Sequence, residues 1–343
     1  MVVAQEALQQ KRVGDVVLDV RDLRTYLYTR WGVTKAVDGV SFQVHEGETL
    51  GIVGESGCGK SMTALSLLRL APKPAARTES GQVLLDGVDL LKLGEDEMRD
   101  YRGRKISMIL QDPQTSLDPL FTVGDQLVET LKAHQKEPSS RKSLWERAVD
   151  ALRQVRVADP ERRMSAYPHE MSGGMKQRVV GATALLSRPR VLIADEPTTA
   201  LDVTIQAQYL RLLKRVQEET GVSIIFITHD MGVVAKMCDR AVVMYAGRIV
   251  EHGTVRELFN TPTHPYTQAL LASVPKMEAK VDHLYSIEGQ PPALFDLPEG
   301  CRFAPRCQYA DDRCRTQYPP TYTSPSDHEV ACWRQENVWP TTL

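Results

Sequence analysis

The segment Gly54-Glu55-Ser56-Gly57-Cys58-Gly59-Lys60-Ser61 constrains this chain more than any other. Thr49 to Val53, directly before it, is an apolar run that reads as a buried strand. From Ser61 to Leu70 the apolar spacing is helical and stops before Pro72. A strand, a tight glycine turn and a helix start, in that order, aim backbone N–H groups and the positive helix end at one point, which favours an anion. The spacing GxxxxGK[ST] adds two side chains. Lys60 is expected to pair with the β/γ-phosphate oxygens of ATP, and Ser61 to offer its hydroxyl to Mg²⁺. Gly54, Ser56, Gly57, Cys58, Gly59 and Met62 complete the expected phosphate site. The bland alternative is a chance glycine-rich turn, against which the flanking strand and helix count. For Cys58 two readings stand: a thiolate favoured by nearby N–H groups and Lys60, or an inert, partly buried thiol. The first makes alkylation at Cys58 inhibitory, with MgATP protecting.

Further apolar runs, Ile106 to Leu110, Val191 to Ala194, Ser223 to Ile227 and Ala241 to Tyr245, read as strands buried on both faces. With helical patterns between several of them, they predict a parallel α/β sheet. Val16 to Val20 and the alternating Val40 to Val44 add β structure ahead of it. Between about 112 and 188 no such run occurs, but Val123 to Ala133 and Leu144 to Val155 are helix-like, which predicts an inserted helical subdomain. Residues 1–15 are polar and patternless, a loose tail. From Thr261 the composition turns to Pro, Cys, His and Tyr, marking an extension over 261–343.

A chain of 343 residues with net charge −2 gives no general electrostatic reason to bind nucleic acid or anionic lipid. No apolar run approaches the ~18 residues that span a bilayer, and Met1 to Gly14 lacks the apolar stretch of a signal peptide. The expectation is a cytosolic protein, whose six cysteines read as metal ligands or core before disulfides.

Val191-Leu192-Ile193-Ala194-Asp195-Glu196 is an apolar strand ending in two acids, at the sheet edge where ligands bind. Asp195 is placed to hold Mg²⁺ and Glu196 to polarise the attacking water; two surface acids are the plain alternative. Between loop and acids lies Met171-Ser172-Gly173-Gly174-Met175, an anion site at a helix start. On these motifs the chain resembles ABC ATPases over roughly residues 16 to 260. The signature is Ser172-Gly173-Gly174, the Q-loop Gln111, the D-loop Ala200-Leu201-Asp202 and the H-loop His229.

The resemblance implies a P-loop NTPase (RecA-like) α/β core with ABC antiparallel β and helical subdomains. It implies ATP sandwiched between two subunits, with His229 on the γ-phosphate and Gln111 sensing Mg²⁺ and water. Asp202 would communicate across the dimer, and an upstream aromatic, Tyr28 in preference to Trp31, would stack on adenine. The signature departs from the common Leu-Ser-Gly-Gly-Gln at Met175.

Within that group the chain looks like the ATPase subunits of oligopeptide/dipeptide importers. The motifs that carry this are Gly51-Ile52-Val53-Gly54-Glu55-Ser56, Gln111-Asp112-Pro113 with Ser116-Leu117-Asp118-Pro119, Ala194-Asp195-Glu196-Pro197-Thr198-Thr199-Ala200-Leu201-Asp202-Val203-Thr204 and His264-Pro265-Tyr266-Thr267. Relatives in the group move peptides, nickel chelates, glutathione or oligosaccharides. The implied partners are a second, non-identical ATPase, two transmembrane permease subunits and an extracytoplasmic solute-binding protein, with no nucleic acid. The implied location is the cytoplasmic face of the inner membrane, peripherally bound. ABC ATPases of DNA repair or of ribosomes are the other class; neither the long heptad insertion nor the second phosphate loop usual there occurs.

Cys301, Cys307, Cys314 and Cys332 form a small C-terminal array. Four thiolates suit an iron–sulfur cluster or tetrahedral zinc. The tail resembles the importer extension that carries a [4Fe-4S] cluster. Cys238 reads as core, and His252, His264 and His328 as structural or exposed.

Overall fold

The computed structural model describes residues 14–112, 115–135, 139–199, 201–274 and 286–341. The expected N-terminal tail, Pro113 of the Q-loop motif and Ala200 of the D-loop fall almost wholly or wholly outside these. In chain order the first half holds β1 (Val16–Thr29), β2 (Gly32–His45), β3 (Thr49–Val53), α1 (Lys60–Leu67), β4 (Ala76–Leu85), β5 (Val88–Asp89), α2 (Glu95–Tyr101), β6 (Ile106–Ile109), α3 (Val123–His134), α4 (Arg141–Gln154), α5 (Pro160–Arg163) and α6 (Gly173–Leu185). There follow β7 (Val191–Asp195), α7 (Val203–Thr220), β8 (Ser223–Thr228), α8 (Met231–Met237), β9 (Arg240–Tyr245), β10 (Arg248–Thr254), α9 (Val255–Asn260), α10 (Pro265–Ala272), α11 (Asp312–Thr316), β11 (Tyr322–Thr323) and β12 (Glu329–Val330).

Two sheets carry the molecule. An antiparallel sheet has the order β2-β1-β4-β5, and an eight-stranded sheet the order β11-β12-β10-β9-β3-β8-β7-β6. In the larger one β6, β7, β8, β3 and β9 run parallel, as the apolar runs predict, and β10, β12 and β11 continue it antiparallel.

Because successive strand residues face opposite sides, each central strand feeds two cores. Val191, Ile193, Ile225 and Ile227 join Leu18, Val40, Ile52 and Leu67 in the core between the sheets, where α1 lies. Leu192, Ala194, Ile224 and Phe226 join the core of the helices, with Leu127, Leu144, Leu152 and Val179. The helical insertion thus rests on the same strands that deliver the functional residues. A third core, of Val53, Val243, Tyr245, Tyr266, Leu270 and Phe303, bonds the extension to the sheet end.

The antiparallel hairpin is longer than Val16 to Val20 and Val40 to Val44 suggest. β1 runs on to Thr29 through register shifts between Val20 and Leu23 and between Thr25 and Leu27, which break the period-two pattern that betrays a strand. The extension does not stand apart either, since β12 pairs with β10 through Glu251↔Val330 and His252↔Glu329.

Candidate functional site

β3 delivers the chain to Gly54 and α1 receives it at Lys60. Gly54 has φ +158° and Gly59 φ +109°; an added Cβ would stand 2.2 Å from the Met244 carbonyl oxygen at the first and 2.1 Å from that of Ala36 at the second. The loop is pressed between β9 and β2, and only glycine fits at those points. Ser56 and Gly57 are exposed at its crest. The Lys60 ammonium, on a residue only 5% exposed, donates to the Gly54 carbonyl at 2.8 Å and the Glu55 carbonyl at 3.0 Å. Met62 packs against the core between the sheets.

Cys58 is buried, and burial pushes its thiol pKa up despite the nearby Lys60 charge. The reactive-thiolate reading is therefore corrected. Cys58 belongs to the loop through its backbone, its N–H donating to the Glu55 carbonyl and its carbonyl accepting from Gly247.

β7 ends on the acid pair. Asp195, 3% exposed, accepts a 3.1 Å hydrogen bond from the Ser61 hydroxyl, and burial raises its pKa. A divalent cation would offset the burial that raises this acid's pKa; Ser61 and Asp195, with Gln111 nearby, would suit Mg²⁺. Glu196 turns away from Asp195 because its backbone is left-handed, φ +44°, a strained conformation for a non-glycine residue. Its N–H is pinned to the Ile227 carbonyl at 3.0 Å. One carboxylate oxygen accepts from Gln111 Nε2 at 3.1 Å and Thr199 Oγ1 at 3.0 Å. The other lies 3.3 Å from His229 Nδ1 and 3.9 Å from Lys60 Nζ. Residues from β3–α1, the β6 end, β7 and the β8 end thus meet at one carboxylate. Thr199 was missed in the sequence, although its place three residues after Glu196 is a turn signal.

Ser172 caps α6, its hydroxyl accepting from the Met175 N–H at 3.4 Å, and an added Cβ on Gly173 would meet only open space. Met175 turns its side chain against the helical core. Asp202 caps α7, accepting from Thr204 and Ile205 N–H groups, and Ile205 lies against Gly174, so the first turns of α6 and α7 touch. Val203 beside them is 80% exposed. Tyr28 sits near the open end of β1, its hydroxyl on Glu79 at 2.8 Å and Arg77 over its ring; Trp31 is 69% exposed under Arg30.

In the extension Cys301, Cys307, Cys314 and Cys332 line one small cavity with Phe303 and Trp333. Burial pushes Cys301 and Cys332 up to about 11, and the neighbouring cysteines add to this. Four thiols in one cavity match the donor set of a metal cluster, although among the described residues no group of three or more His, Cys, Asp or Glu is arranged to hold a metal ion. His252, His264 and His328 are buried and structural. His328 and His252 face Glu251 and Glu329, and His264 Nδ1 accepts from the Tyr266 N–H. Cys238 lies partly buried against the core.

A lysine-bearing phosphate loop, a hydroxyl–carboxylate pair and a strained glutamate within reach of that lysine, all at the carboxyl edge of a parallel sheet, define a P-loop ATPase of the ATP-binding cassette class. Residues 37–199 match the family described as ABC transporter, and residues 250–314 match the oligopeptide/dipeptide transporter, C-terminal region. A Sinorhizobium fredii protein named as a probable peptide ABC transporter ATP-binding protein is 52% identical over 96% of this chain and 98% of its own. The dipeptide transport ATP-binding protein of Bacillus subtilis is 49% identical over 93% of this chain and 95% of its own. Among solved structures, a dimeric ATP-binding cassette in a post-hydrolysis state with ADP and phosphate is 27% identical, with a TM-score of 0.62 over 70% of this chain and 99% of that one. The chain belongs to the ATP-binding proteins of ABC transporters, in the branch that bears the oligopeptide/dipeptide transporter C-terminal region.

Proposed function

We propose that the chain is the ATP-hydrolysing subunit of an importer of oligopeptides or dipeptides, and that Glu196 is its catalytic base. The observation that carries this is the convergence of Gln111, Thr199, His229 and Lys60 on that one carboxylate. Phosphoryl transfer asks a protein mainly for positioning and charge stabilisation. Gln111 and Thr199 fix the carboxylate, which takes a proton from the attacking water. His229 and Lys60 present positive or donor groups to the γ-phosphate. Ser61, Asp195 and Gln111 would hold Mg²⁺, which would supply charge neutralisation at the phosphates. Gly54 to Ser61 and Met62 cradle the phosphates, and Tyr28 offers its ring to adenine. Glu196→Gln should lower the hydrolysis rate at least ~100-fold while MgATP still binds; a rate equal to the parent's removes Glu196 as the base.

Ser172, Gly173 and Gly174 complete the ATP site of a second cassette. In support, Ser172 and Gly173 are exposed beside Val203 and the Asp202 cap, and among the described residues the Ser172 hydroxyl bonds only within its own helix. The second subunit is a non-identical relative in this reading, on the ground of the unusual Met175. Two transmembrane permease subunits dock by Gln111 to Pro119, in a reading supported by a cavity of about 710 Å³ lined by Leu110, Leu117, Phe121 and Gln126. A solute-binding protein completes the importer, and the chain works peripherally at the cytoplasmic face of the inner membrane. None of the described helices is long and apolar enough to cross one. In this division 16–260 is the cassette, with its helical subdomain at about 112–188, and 261–343 the extension.

The four cysteines of that extension hold a [4Fe-4S] cluster in this proposal, supported by their lining one cavity. Iron and sulfide in anaerobically purified protein test it, and zinc without iron overturns it.

A further inference from the structure

Glu55, the second residue of the phosphate loop, has each of its polar groups taken. Its carbonyl accepts from Lys60 Nζ at 3.0 Å. Its N–H donates to the Tyr266 hydroxyl at 2.9 Å. Its carboxylate is gripped by the Arg306 fork, with Nη1 to Oε2 at 2.7 Å and Nη2 to Oε1 at 3.0 Å. Both gripping residues lie beyond residue 260, and Arg306 is 251 positions from its partner.

Neither residue is free to drift. Tyr266 is fully buried on α10, and its ring meets Tyr245 and Phe303 at centroid distances of 4.6 and 5.4 Å. The Arg306 side chain is 3% exposed, and its remaining N–H groups donate to the Glu288 and Ile287 carbonyls and the Tyr245 hydroxyl. It ends the short turn Ala304–Arg306, between Cys301 and Cys307. A planar bidentate pair fixes orientation as well as distance. The contacts therefore do more than hold the extension on: Tyr266 fixes the Gly54–Glu55 peptide plane, whose Gly54 carbonyl accepts from Lys60 at 2.8 Å, and Arg306 fixes the Glu55 side chain.

We infer that Arg306 and Tyr266 are positioning residues for the phosphate loop, by which the cysteine-bearing extension sets the ATP affinity of the cassette through Glu55. This rests on the ATP site proposed above and adds to it a control point outside the cassette motifs. Whatever orders the turn between Cys301 and Cys307 reaches the phosphate loop by one side chain.

The test is MgATP binding by titration calorimetry on the full chain, with thermal melts in parallel. Arg306→Gln should raise the Kd about tenfold, equal to ~1.4 kcal/mol. In a Glu55→Gln background the same change should add nothing, because the partner it acts through is already gone. Tyr266→Phe removes one oxygen and no bulk, and should weaken MgATP several-fold with the melting transition retained; it decides the matter if Arg306→Gln fails to fold. An unchanged Kd in the folded variant, or an equal loss in the Glu55→Gln background, overturns the inference. Lys60→Ala separates the two readings. If it binds MgATP as the parent does, the ATP site itself is wrong, whereas loss with Lys60→Ala but not with Arg306→Gln or Tyr266→Phe removes only the positioning role.

Discussion

Asp38 shows how single residues hold this molecule together. It is 2% exposed and accepts from the Tyr26 hydroxyl at 2.7 Å and from Arg248 Nε and Nη2 at 3.2 Å, while Arg302 of the extension bonds the same carboxylate. Burial alone would raise its pKa, but the Tyr26 hydroxyl and the Arg248 and Arg302 charges outweigh it and hold the group at about 2. A folded-state pKa below the ordinary 3.8 means stability that is present above that value and lost as pH falls through 2. The shift is worth about 2 kcal/mol. Asp38→Asn leaves the buried Arg302 without a counter-charge and should cost about 3–5 kcal/mol at neutral pH. Urea unfolding of parent and variant at pH 7 checks the cost of the substitution. The second signature is a shallower fall in stability between pH 4 and 2 for the variant; identical acid limbs would take Asp38 out of that role.

At the scale of elements, β10 joins cassette and extension. Glu251 on it is fully buried and accepts from the Thr263 N–H at 2.7 Å, the His264 N–H at 3.0 Å and His328 Nε2 at 2.8 Å. Glu251→Ala strands these donors and should cost about 3 kcal/mol, releasing the chain beyond 261 to limited proteolysis before the cassette unfolds; a cleavage pattern like the parent's would contradict this. The elements of the candidate nucleotide site were legible in the sequence because their chemistry is local: strand, glycine turn and helix are contiguous at Gly54 to Ser61, and Asp195 and Glu196 stand at the end of one apolar run. What lay hidden was long-range. Nothing near Glu55 announces Arg306, and nothing near Asp38 announces Arg302, since each partner is more than 200 residues away. The length of β1 was hidden by its bulges. Cys58 misled because Lys60 is close in sequence, whereas burial, which decides the thiol, is set by β9 and β2.

At the scale of the whole molecule, loop, acids and His229 stand together at one edge of the large sheet, while Ser172 and Gly173 are exposed at the start of α6. In the proposed reading one chain carries a complete ATP-binding surface and, for hydrolysis, half of a shared site. Binding should be a property of the single chain and turnover a property of the pair. Removing the cap in Ser172→Ala should leave the chain's own MgATP affinity within about twofold, costing its helix about 1 kcal/mol, yet lower hydrolysis in the pair at least tenfold. The most direct measurement follows ATP hydrolysis per chain while this subunit is titrated against itself and against the proposed second ATPase subunit, with MgATP binding recorded in parallel. The rate per chain should rise with the concentration of paired subunits and binding per chain should stay constant. A full rate from isolated chains, independent of concentration and of any partner, would contradict the shared site.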